Sequence, residues 1–176
     1  MRPAVSAACS AALALLLGGC FSGTTAVCPR IAIVPDLKSI AKFGPGPGRD
    51  VQDIDYGARM LAATVSCSFD KKKGGLDVAT KLGITALRGK PAIRKGQVTY
   101  FVAVVDRRET ILSKRDFVID ITFPTSQPRV EVTEEHDEFI PMPQTGTGAE
   151  YGILFGFQLT PEELQYNRDH EPKGPG

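Results

Sequence analysis

Leu76-Asp77-Val78-Ala79-Thr80-Lys81-Leu82-Gly83-Ile84-Thr85-Ala86-Leu87 alternates in character along its whole length. Val78, Thr80, Leu82, Ile84 and Ala86 share one face, while Asp77, Lys81 and Thr85 share the other. A strand with one apolar and one polar face belongs to a sheet that is buried on one side and wet on the other, the normal condition of antiparallel sheets. Asp70-Lys71-Lys72-Lys73-Gly74-Gly75 precedes it and reads as a hairpin tip, with the glycines supplying positive φ. Before the tip, Ile54, Tyr56, Ala58 and Met60 alternate, and the phase then slips to Leu61, Ala63, Val65 and Cys67. Such a slip is what a β-bulge or strand bend writes into a sequence, and it puts Cys67 with the inward set.

The same period recurs outward from this hairpin. Val98 to Asp106 is the most apolar run and reads as a central strand; Thr110 to Ser113 extends an edge, and Phe117, Ile119, Ile121 and Phe123 alternate again. Arg129 to Thr133 is a short strand with charged outward positions. Near the C-terminus, Tyr151, Ile153, Phe155, Phe157 and Leu159 point one way and Gly152, Leu154, Gly156 and Gln158 the other, so the glycines predict close approach by a cover. Arg30 to Val34, bracketed by Pro29 and Pro35, is a first strand. Leu37, Ile40 and Phe43, at three-residue spacing, predict a short helical or irregular cover, and Gly44-Pro45-Gly46-Pro47-Gly48 a surface loop. Thr160-Pro161-Glu162-Glu163 carries an N-cap, a first-turn proline and a capping-box glutamate, with Leu159 and Leu164 placed as a hydrophobic staple. A helix of about two turns from Pro161 to about Asn167 follows. The fold class is therefore all-β: an antiparallel sandwich, immunoglobulin-like in broad layout, with a short C-terminal helix, or alternatively an open barrel.

At the other end, an apolar run from Ala11 to Leu17 follows a start whose only charge is Arg2, and it closes with Leu17-Gly18-Gly19-Cys20. It is too short to span a bilayer, which needs about 20 residues. A basic start, an apolar run and Leu-x-Gly-Cys resemble the lipobox signal of bacterial lipoproteins. The resemblance implies cleavage before Cys20, a lipid on its thiol and an acylated amino terminus. Phe21 stands where aspartate would resemble an inner-membrane retention signal, which points to the outer membrane, facing the periplasm. On this reading residues 1–19 are the signal peptide and 20–27 a lipidated tether, 28–168 form one domain, and 169–176 are a disordered tail.

With Cys9 lost and Cys20 lipidated, two of the four cysteines remain, Cys28 and Cys67. In an oxidising compartment such a pair predicts a disulfide. The tether from Phe21 to Val27 reaches at most about 25 Å, so the domain sits close to the membrane.

Loss of residues 1–19 takes Arg2 and no acid, leaving 20 basic residues against 20 acidic. A neutral chain without tryptophan offers neither a phosphate-binding field nor a stacking platform, and no nucleic-acid partner is expected. The two histidines stand apart: His136 in the acidic run Glu134-Glu135-His136-Asp137-Glu138 and His170 in the tail. The run lacks the alternating ligand spacing and turn glycine of a calcium loop and reads as a solvated linker, so no metal is expected. Neither histidine has a nucleophile at motif spacing, so no catalytic residues and no cofactor are expected.

Gly156 to Arg168, together with Cys28-Pro29-Arg30, also resembles a group of small proteobacterial envelope lipoproteins of unassigned function, which implies no catalytic residues. These readings converge on a non-enzymatic lipoprotein, anchored in the membrane through Cys20, that binds an envelope protein partner. The alternative is a periplasmic carrier of a small apolar ligand or lipid, which requires an apolar cavity between the sheets.

Overall fold

The computed structural model describes residues 26–170; Cys20, the signal peptide and most of the tether lie outside the described residues, as do residues 171–176. Eight strands form two four-stranded sheets, followed by one helix. They are β1 (Arg30–Ile33), β2 (Ser39–Phe43), β3 (Ile54–Asp70), β4 (Gly75–Arg88), β5 (Lys95–Val105), β6 (Ile111–Thr122), β7 (Arg129–Pro141), β8 (Gly152–Phe157) and α1 (Pro161–His170). One sheet has the order β1-β8-β5-β6 and the other β2-β3-β4-β7. All pairs are antiparallel except β1 with β8, which run parallel.

The β3–β4 hairpin is the spine of the second sheet. Its inward positions on β4, from Leu76 through Val78, Thr80, Leu82 and Ile84 to Ala86, are all buried, as the alternation predicts. Gly74 turns the tip at φ +70, a conformation in which a side chain is strained. The register of β3 on β4 jumps between Met60 and Ala62. That is the slip legible in the sequence, with one correction: Leu61 is the extra residue, 56 % exposed, and the inward set resumes at Ala63. A bulge leaves its extra residue out of the ladder, so Leu61 points away from the core.

Facing side chains fill the space between the sheets. Val78, Leu82 and Ile84 of one sheet meet Val98, Val102, Ile153, Phe155 and Phe157 of the other, and all are almost fully buried. β5 lies between β8 and β6, hence its unbroken apolar run. On the outer side of β8, a Cβ at Gly156 would lie 2.9 Å from Leu37 Cβ and 2.8 Å from the Phe101 ring, which is the close approach the glycines predict.

Three segments differ from the sequence-based expectation. The three-residue spacing of Leu37, Ile40 and Phe43 is not a helix: only Pro35–Leu37 makes a 3-10 turn, and β2 follows with Ile40 buried against the core. Ile111 to Thr122 is one strand rather than an edge piece and a separate strand. The acidic run is not a linker, because β7 continues through it from Arg129 to Pro141 and pairs with β4 throughout.

The helix starts as its residues require. Thr160 Oγ1 accepts from the Glu163 amide at 3.2 Å, and Glu163 Oε2 accepts from the Thr160 amide at 2.8 Å. It runs on to His170 and covers the edge of β2. Buried Asn167 donates to the carbonyls of Asp36 and Ser39, and Glu163 pairs with Lys42 at 2.8 Å.

Candidate functional site

The sheet orders bring two edge strands, β6 and β7, to the same side of the sandwich. β7 turns Val130, Val132, Glu134, His136, Glu138 and Ile140 inward, so its ladder with β4 presents two carboxylates and an imidazole to the inter-sheet space. They close the flank against β6 and β5. The His136 ring lies 4.4 Å from that of Phe117 and 5.6 Å from that of Tyr100. His136 is only 7 % exposed and Tyr100 is fully buried.

The hydrogen-bond network assigns the protons. Tyr100 Oη lies 2.8 Å from His136 Nε2 and 3.1 Å from Glu134 Oε2. A carboxylate can only accept, so the phenol donates to Glu134, and neutral His136 donates its Nε2–H to the phenol oxygen. Burial pushes the Tyr100 phenol well above its usual range, and the nearby Glu134 carboxylate acts in the same direction. Burial also holds the His136 imidazole below its ordinary value; Arg115 adds to this, while Glu134, Glu138 and Asp137 oppose it. On the rim, Arg115 of β6 pairs with Glu138 and donates to the Asp137 carbonyl at 3.0 Å.

A pH dependence follows. Above about pH 6.5 the imidazole is neutral folded and unfolded; below it the unfolded chain takes up a proton that buried His136 resists. The stability carried by neutral His136 is therefore present above its unfolded pKa and is lost as the pH falls through the lower folded value. The urea midpoint of the wild type should exceed that of His136→Gln at about pH 8 and the gap should narrow by about pH 5. A gap that widens toward acid reverses this assignment.

The cluster holds a hydrogen-bonded chain, not a nucleophile activated by a base. Cys28 and Cys67 are bridged, with Cα atoms 5.5 Å apart, so neither thiol is free. His170, at the end of α1, stacks on Tyr166 at 4.0 Å, far from the flank in the fold. Among the described residues no three His, Cys, Asp or Glu side chains converge as a metal would require. Cys20 lies outside the described residues. The sequence reading missed the Tyr100–His136–Glu134 chain; the signal was the unbroken parity from Val130 to Ile140, on which His136 falls inward.

Two concavities lie on the outside of the sandwich. One of ≈ 510 Å³ runs over Ala41, Gly57 and Leu87 on the outer face of the second sheet, and another of ≈ 590 Å³ lies between Pro47, Arg49 and α1. Fold and flank together define a disulfide-bonded β-sandwich with a polar side seam. Compared with protein-family models, curated proteins and solved structures, the chain matches none of them.

Proposed function

We propose that the protein is a non-enzymatic, lipid-anchored module of the bacterial envelope that holds a partner protein by strand addition along β6. The observation that carries this reading is the difference among the four sheet edges. β2 is covered by α1, whose Asn167 occupies the Ser39 carbonyl. β1 is four residues long and flanked by Pro29 and Pro35. β7 is lined with acidic side chains, and Arg115 takes up its Asp137 carbonyl. β6 is twelve residues long, contains no proline, pairs with β5 alone and exposes Val118 beside its edge. An edge of that length offers a row of backbone donors and acceptors to an extended segment of another chain. Against the carrier alternative, the facing side chains of both sheets, from Leu82 and Ile84 to Tyr100, Phe155 and Phe157, are almost fully buried in one contiguous apolar core.

Two measurements test the reading. Intact mass of the native product should show an acylated Cys20 amino terminus. A photo-crosslinking residue at Val118 should then give one discrete adduct with an envelope protein, mapped to an extended segment of it, and the same probe at Leu87 should not. An unacylated product, or identical adducts from both positions, would remove the proposal.

A further inference from the structure

The register places several loops at one end of the sandwich, and the chain enters the fold there. The Ala26 carbonyl oxygen lies 3.8 Å from Cys67 Sγ, and the Cys28–Cys67 bridge ties the entering segment to β3 three residues before Asp70. A Cβ at Gly148 would collide with the Val27 carbonyl, so the β7–β8 connection lies against the same segment. Gly75 pairs with Pro141, which puts the Lys71–Gly74 tip at this end. In the other sheet Gly152 pairs with Arg30 and with Val105, and Val105 pairs with Ile111, which brings the 106–110 loop alongside.

The side chains at this end have a common character. Val27, Ile111 and Leu112 are each more than half exposed, large apolar groups without a cover. Most of the carboxylates here are already engaged. Asp70 accepts from the amides of Lys72 and Lys73, Asp106 from those of Arg108 and Thr110, Glu150 pairs with Arg107 and Asp77 with Lys73. Exposed Glu109 is the exception. Among the described residues no ion pair engages Lys71 or Lys72, and Arg108 acts on a carboxylate only through space, helping to hold Asp106 below its usual range.

We propose that this end of the domain docks onto the surface of an anionic phospholipid bilayer, with Val27, Ile111 and Leu112 in the headgroup layer and Lys71, Lys72 and Arg108 against the lipid phosphates. Interfacial binding combines buried apolar area with attraction of basic residues to anionic headgroups, and both are present here. The inference rests on the anchored reading above: Cys20 precedes Ala26 by six residues, and so short a link holds the docking end at about millimolar effective concentration, enough for a weak contact to persist. Docked this way, the strands stand away from the bilayer and the β6 edge faces sideways, open to a partner.

The chain has no tryptophan, so one introduced residue reports one place. Ile111→Trp, and Leu87→Trp at the far end of the sandwich, are placed separately in the full chain and mixed with vesicles of brominated phosphatidylcholine with and without phosphatidylglycerol. Quenching is expected at position 111, stronger with phosphatidylglycerol, and not at 87. Neutralising Lys71, Lys72 and Arg108 should lower the docked-to-free ratio about fivefold per residue. Equal signals from the two positions while the chain stays vesicle-bound overturn the docking and leave the anchor standing. Failure of the chain to sediment with vesicles overturns both.

Discussion

Replacing both bridge cysteines, as Cys28→Ser with Cys67→Ser, is expected to lower the free energy of unfolding by about 4 kcal/mol in the chain-entropy treatment of a closed loop. The two residues are 39 apart in sequence, and the loop they close contains β1, β2 and nearly all of β3. That loop holds the weakest joint of the sandwich. β1 has four residues, pairs only with β8, and does so in parallel, a pairing slightly less stable per residue than an antiparallel one. Without the covalent tie, the first strand is kept on the sheet by its short ladder and by Ile31 and Ile33 against the core. The measurement is the urea unfolding curve of the double variant against the wild type, with and without reductant. The reduced wild type should coincide with the variant, and a loss below about 1 kcal/mol in both would mean that the unfolded chain is not loosened by opening this loop.

The large features of the fold were legible because local pattern and tertiary environment agree. The hairpin around Gly74, the slip at Met60, the central strand and the Thr160 capping box each follow from a few residues whose surroundings match their own preferences. Two of the three segments that differ from the sequence-based expectation were misread for opposite reasons. At Leu37, Ile40 and Phe43 a helical spacing arose by accident across a 3-10 turn and a strand, where Ile40 alone enters the core. At Glu134 to Glu138 the density of charge hid a strand: alternation scored on hydrophobicity sees no inward residue when the inward residues are carboxylates and an imidazole. Those side chains are tolerated on the inner face because β7 is an edge. Arg115 reaches Glu138 across the flank, and Tyr100 supplies the hydroxyl that Glu134 and His136 share. The partners come from strands more than twenty residues away in sequence, so no local reading could have paired them.

The polar seam also decides the second large effect. Tyr100→Ala is expected to destabilise the fold by about 5 kcal/mol, combining a large-to-small core loss with the cost of leaving buried acceptors and donors unpaired. The ring is fully buried and stacks on Phe117 at 5.4 Å, so its removal opens a cavity between the sheets. The same substitution strands His136 Nε2–H and one oxygen of Glu134. Tyr100→Phe separates the two contributions: the ring stays, the hydroxyl goes, and the expected cost is about 1–3 kcal/mol. Replacing the whole chain of polar groups, as Tyr100→Phe with Glu134→Leu and His136→Leu, should recover stability relative to Tyr100→Phe alone, because no buried group is then left without a partner. Urea midpoints of the three variants at about pH 8 give the ranking. If Tyr100→Phe costs as much as Tyr100→Ala, the hydroxyl rather than the ring holds the seam. If the triple variant falls below Tyr100→Phe, the network contributes net stability of its own and closes the flank more firmly than an apolar seam would.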